Sequence, residues 1–151
     1  MNVRLGCPKL CKDWECIDLR GDPPREVFEW LRAASKLGLQ IDTIETKNLL
    51  EHLANPGELL KLCHSVLKDE GRITLITDNA EFVPFYLPFW LRHSGIGAHS
   101  INKYAIDHCD SVHYMVFTKM HLVNLFSVSG FKNITTRRIK FGARLEARAI
   151  R

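Results

Sequence analysis

Several side chains in this 151-residue sequence carry reactive or ligand-binding chemistry. Cys7, Cys11 and Cys16 form a C-x3-C-x4-C series of soft thiol ligands. Zinc sites usually use four ligands with compact pairs such as C-x2-C, so this spacing predicts loop or buried thiols and no metal. Glu51 and His52 set a carboxylate beside an imidazole, a pairing able to move protons. His99, His108 and His113 share one stretch with Asp107, Asp110 and Tyr114, and their spacing again fits no zinc signature. Asp18 closes a short strand-like run. A carboxylate there can accept hydrogen bonds from both hydroxyls of a ribose, or it can cap a turn at the surface. Phe82, Phe85, Tyr86, Phe89 and Trp90 gather enough aromatic area for a ligand pocket, a satellite core or an interface between two copies.

These groups must be positioned by regular elements. Residues 2–6 and 15–19 read as two short strands. Gly21 and the paired Pro23 and Pro24 mark a turn. Val27, Trp30, Leu31, Ala34 and Leu37 then recur on one face of a helix over residues 24–37, stopped by Gly38. A third strand covers residues 41–46. Asn55, Pro56 and Glu58 are a helix start, with Asn55 as cap, Pro56 in the first turn and Glu58 placed to reach back. Leu59, Leu60, Cys63, Val66 and Leu67 form that helix's apolar stripe, and Gly71 ends it. Residues 73–77 are a β-branched, apolar strand that suits the middle of a sheet. Thr118 is placed to cap a last helix, with Leu122, Val123, Leu125 and Phe126 inward and Gly130 at its end. Residues 132–140 and 144–150 alternate like a hairpin around Gly142.

Strands alternate with helices until that hairpin. The expected fold is an α/β domain with an open, mostly parallel sheet, helices on both faces and a C-terminal antiparallel hairpin. Residues 1–151 form one domain, and residues 79–116 are its long irregular segment. Ligands of such sheets bind beyond the carboxyl ends of the strands. The ends in question are Gly6–Cys7, Asp18–Leu19, Thr46–Lys47–Asn48 and Thr77–Asp78–Asn79.

Composition narrows the classes. Hydrophobic residues at 46% support a real core, and charged residues at 25% argue against disorder. The richest apolar run, residues 82–91, is broken by Pro84 and Pro88 and falls short of the ~20 residues of a membrane span. Five cysteines at irregular spacing, with no leader-like segment ahead of them, point to reduced thiols and a cytoplasmic location. The net charge of +4 is mild. Arg137, Arg138, Lys140, Arg144, Arg148 and Arg151 make the C-terminus basic but lack interleaved aromatics, so a solvated face is preferred to a nucleic-acid surface.

Four ordered segments give a family resemblance. They are Arg4-Leu5-Gly6-Cys7 with Trp14-Glu15-Cys16-Ile17-Asp18-Leu19; Ile41-Asp42-Thr43-Ile44 leading into Leu50-Glu51-His52-Leu53; Val66-Leu67-Lys68-Asp69-Glu70-Gly71-Arg72-Ile73; and Phe117-Thr118 through Ser129-Gly130-Phe131. In this order the chain resembles the class I S-adenosylmethionine-dependent methyltransferases, in the small type whose first glycine motif is followed almost at once by the second strand. The resemblance implies S-adenosylmethionine as cofactor and methyl transfer to an oxygen or nitrogen of an unidentified acceptor. By it, Gly6, Cys7, Asp18 and Leu19 contact the cofactor, and Thr46, Lys47 and Asn48 lie beside the reactive sulfonium. Asn79, Phe85, Trp90 and Tyr114 shape the acceptor site. Histidine suits proton removal near neutral pH, and His113 is the candidate base. The Glu51–His52 pair helps to fix the helix that follows.

The chain departs from the family at two points. Pro8, with no N–H and a fixed φ, stands where another glycine is usual. A single helix occupies the interval in which the family has its third strand, which implies a smaller sheet. These departures motivate a second reading, a scaffold that kept the fold and lost the reaction. A homodimer through the last strands or the aromatic segment fits either reading.

Overall fold

The computed structural model describes residues 1–5, 15–17, 25–82 and 115–151. Six strands form one sheet: β1 (Asn2–Leu5), β2 (Glu15–Ile17), β3 (Ile41–Lys47), β4 (Leu67–Asp78), β5 (Lys132–Ile139) and β6 (Arg144–Ile150). Their spatial order is β2-β1-β3-β4-β6-β5. β2, β1, β3 and β4 run parallel, and β6 and β5 add an antiparallel hairpin on β4. A parallel crossover usually takes a dozen or more residues. β1 and β2 nevertheless pair in parallel, with Leu5 level with Ile17, across residues 6–14 alone. No strand lies between β2 and β3 among the described residues.

Among the described residues three α-helices accompany the sheet: α1 (Arg25–Lys36), α2 (Pro56–Val66) and α3 (Lys119–Val128). Their buried sides meet one face of the sheet. Cross-strand register sets Leu5 level with Thr46, Thr46 with Leu75 and Leu75 with Ala147. With period-two alternation, Val3, Ile44, Ile73, Leu145 and Ala149 share that face. Nearly all of these belong to a single apolar core with Val27 and Leu31 of α1, Leu59 and Cys63 of α2, and Leu122 and Phe126 of α3. The opposite face is mostly polar along the described strands, with Ile76, Ile139 and Ile150 half-buried on it. It carries Arg4 bonded to Glu45, and Glu146 held by Arg137 and Arg148. All three described helices therefore contribute to the core of one face.

Local signals explain the helix limits. Asn55 caps α2 through the Glu58 N–H, with Pro56 in the first turn. The Glu58 carboxylate does not reach back as expected, because it pairs with Arg32 of α1. The reciprocal capping box is at α3 instead. There the Thr118 hydroxyl accepts from the His121 N–H, and the His121 ring accepts from the Thr118 N–H. α2 stops one residue before Leu67, whose extended backbone begins β4, so this strand is longer than residues 73–77. Leu37 and Val123, expected inward, are exposed. No described helix is long and apolar enough to cross a membrane.

Candidate functional site

The strand order fixes where a ligand can sit. From β1 the chain crosses to β2 on one side and then returns to β3 on the other. Two neighbouring parallel strands whose connections leave in opposite directions open a crevice at their carboxyl ends. That crevice lies above Leu5 and Thr46. Gly6 and Cys7 follow β1 directly, and Asp18 and Leu19 follow β2 directly; all four lie outside the described residues. So do His113, Tyr114, Phe85 and Trp90. The structure brings Thr46, Lys47, Asn48 and Asn79 to this same edge of the sheet.

Thr46 is buried, yet its Oγ1 has no hydrogen-bond partner among the described residues. A buried hydroxyl left unpaired costs about 1–3 kcal/mol. Lys47, next along the strand, is exposed. Asn48 leaves the strand in the left-handed region at φ 51°, a conformation asparagine tolerates better than most residues. Its N–H donates to the Ile76 carbonyl at 2.9 Å, and its Oδ1 accepts from Arg144 Nη1 at 2.6 Å. The same guanidinium stands 3.7 Å from Asp78, its cross-strand partner. Asn48, Asp78 and Arg144 thus tie the ends of β3, β4 and β6 into one polar cluster.

Asn79 serves this edge from within. It is buried, its Nδ2 donates to the Gly142 carbonyl at 2.6 Å, and its Oδ1 accepts from the Glu81 N–H at 3.0 Å. Its own N–H donates to the Ala143 carbonyl. The amide expected to meet an acceptor is therefore engaged with main chain, where it braces the turn between β5 and β6.

Glu51 stands in a 3-10 turn (Leu50–His52) between β3 and α2. Its carboxylate is buried and accepts from the Thr77 hydroxyl at 2.8 Å. Burial pushes its pKa up to about 7, against the lowering pull of its own N–H and of Thr77. The nearby Asp78 carboxylate raises it further, and Arg144 opposes that. The turn is fastened at this residue, since the Glu51 carbonyl also accepts from the Met115 N–H. The apolar flanks Leu49, Leu50 and Leu53 were the sequence signal for its burial.

Arg144 had no such signal, because its partners lie far away in sequence. The other C-terminal arginines are largely spent on carboxylates: Arg137 and Arg148 on Glu146, and Arg138 on Glu81. Among the described residues no group of three or more histidine, cysteine or acidic side chains could hold a metal ion. His99, His108, Cys7 and Cys11 lie outside the described residues.

No protein-family model matches the sequence, and no curated protein does. Solved structures do match in fold. A S-adenosylmethionine-dependent methyltransferase from Archaeoglobus fulgidus aligns with a TM-score of 0.64 at 15% identity, over 99% of this chain and 85% of that one. Human N-acetylserotonin methyltransferase, solved in complex with S-adenosylmethionine, aligns with a TM-score of 0.57 at 15% identity, over 99% of this chain and 40% of its own. A S-adenosylmethionine-dependent methyltransferase from Thermotoga maritima gives 0.52 at 15% identity, over 78% of this chain and 60% of its own. The chain thus spans less than two thirds of the human and Thermotoga proteins. With the strand order, the switch point beside Thr46 and these alignments together, the chain has the fold of the class I S-adenosylmethionine-dependent methyltransferases.

Proposed function

We propose that the protein binds S-adenosylmethionine in the crevice above β1 and β3 and transfers its methyl group to an oxygen or nitrogen of an acceptor. The observation that carries this reading is the orphaned Thr46 hydroxyl, buried at the topological switch point of a methyltransferase-type sheet. A ligand with polar atoms at that point relieves the cost of the unpaired group. Gly6, Cys7, Asp18 and Leu19 would hold the cofactor with Thr46, Lys47 and Asn48.

The bound cofactor supplies an already activated methyl group. What remains for the chain is mostly positioning, exclusion of water and custody of one proton. When bound, S-adenosylmethionine would supply the methyl group and S-adenosylhomocysteine would be its product, while His113 would take the proton that the acceptor's oxygen or nitrogen gives up. Phe85, Trp90 and Tyr114 would shape the acceptor site, with Asn79 bracing its border. The reading carries with it a cytoplasmic location and a homodimer built on the last strands or the aromatic segment.

The test is calorimetric titration with S-adenosylmethionine and, separately, with S-adenosylhomocysteine. Binding is expected in the native protein and is expected to vanish in Asp18→Ala. Thr46→Val removes the unpaired hydroxyl at nearly constant volume. It should leave stability unchanged or raised by about 1 kcal/mol while weakening the cofactor about tenfold. No heat and no thermal stabilisation at high ligand excess would overturn the proposal and leave the scaffold reading.

A further inference from the structure

Glu51 is an acid that the fold itself does not require. It is 1% exposed, and its carboxylate accepts from the Thr77 hydroxyl at 2.8 Å. Glutamine would accept from the same hydroxyl and bury no ionisable group. The turn is fastened by the Glu51 carbonyl, which accepts from the Met115 N–H whatever the side chain. Among the described residues no cation pairs with the carboxylate. The charged groups that bear on it are Asp78 of β4, which raises its pKa, and Arg144 of β6, which opposes that while bonded to Asn48. His52 is its neighbour in the 3-10 turn. A buried acid with no cation of its own is complementary to a positively charged ligand.

Its placement puts it beside the crevice. Thr46 is level with Leu75, two residues before Thr77, so Thr46 and Thr77 face the same side of the sheet. Strand spacing and rise per residue set their Cα atoms about 8 Å apart. Both are buried. The orphaned Thr46 hydroxyl and the Glu51–Thr77 pair therefore flank the same ends of β3 and β4. A cation lodged beside Thr46 stands on the order of 10 Å from the Glu51 carboxyl. At an effective dielectric of ~20, a unit charge at that distance lowers a carboxyl pKa by about one unit. Burial has pushed that of Glu51 up to about 7, so the change falls near neutral pH.

S-adenosylmethionine carries a sulfonium cation, and S-adenosylhomocysteine carries a neutral thioether. We infer that Glu51 discriminates between them by charge, losing its proton to solvent when the sulfonium occupies the crevice and regaining it when the thioether replaces it. This rests on the methyl-transfer reading and assigns a residue that favours cofactor over product. Below about pH 5 the carboxyl holds its proton with or without ligand, and Glu51 confers no preference. As pH rises through 6 and 7, the protein holding the cation ionises first, and binding of the cation strengthens. Above about pH 8 the gain is complete, at about tenfold.

The experiment is calorimetry of the native protein and Glu51→Gln with S-adenosylmethionine and, separately, with S-adenosylhomocysteine. Buffers of different ionisation enthalpy report the protons released. Subtracting the variant from the native protein cancels the titration of each ligand's own amino group. At pH 7 the native protein should release about 0.4 proton more than the variant on binding S-adenosylmethionine, and no more than the variant on binding S-adenosylhomocysteine. From pH 5 to 8.5 its affinity for S-adenosylmethionine should gain about tenfold on that of the variant. Equal proton release by the two proteins overturns the assignment. So does an equal excess with both ligands, which would tie Glu51 to occupancy of the site and not to charge. Binding of neither ligand to the native protein would remove the methyl-transfer reading and this inference with it, whereas binding of both without the excess removes the inference alone.

Discussion

Replacing Glu51 by glutamine should stabilise the protein at alkaline pH and leave it unchanged at acid pH. The carboxyl is buried, and its pKa rises from 4.5 to about 7 on folding. Below about pH 4.5 the folded and unfolded states both hold the proton, and no penalty arises. Between 4.5 and 7 the unfolded chain releases the proton while the folded chain keeps it, so stability falls as pH rises. Above 7 the folded state must bury a carboxylate, and the penalty is complete. At 1.36 kcal/mol per pKa unit the full penalty is about 3 kcal/mol. Glutamine has the shape and donor character of the protonated acid and can still accept from the Thr77 hydroxyl. For a chain of this size each kcal/mol moves Tm by roughly 2–4 °C, so Glu51→Gln should raise Tm by about 6–12 °C at pH 8. Thermal melts of both proteins at half-unit steps from pH 4.5 to 8.5 measure this. A difference that does not grow with pH, or a variant less stable at pH 8, would refute the reasoning.

Other consequences follow from the same geometry. Thr118→Ala removes the hydroxyl that accepts from the His121 N–H, and should cost about 1 kcal/mol in urea unfolding. Asn55→Ala should cost a similar amount at the start of α2, whereas Glu58→Ala should cost less because its partner Arg32 is exposed. Cys63 is fully buried and its thiol is pushed up to about 12, so peptide mapping should show no alkylation of it until the protein unfolds.

The division between what sequence and structure each decide is plain at the candidate site. Local order was readable from spacing because it depends on near neighbours. Leu59, Leu60, Cys63 and Val66 on one face of α2, the Asn55 cap and the course of the third and fourth strands up to Thr46 and Thr77 are set by periodicities of 3.6 and 2 and by cap chemistry. The terminal hairpin was readable for the same reason, from alternation around Gly142. The carboxyl edge as the expected place for a ligand followed from the alternation of strands and helices.

Contacts between distant segments were not readable. Arg144 looked like one more solvated cation until β6 paired antiparallel with β4 and set it against Asp78 and Asn48. Asn79 looked free to meet an acceptor until the folded turn engaged its amide. Glu58 had the spacing of a capping box, and the packing of α1 on α2 gave it Arg32 instead. An orphan such as Thr46 Oγ1 and a pKa such as that of Glu51 are properties of a three-dimensional environment, because burial and partner supply are decided by every element that closes around a group. Sequence sets the order and polarity of those elements, and only their docking decides which polar atoms are left for a ligand.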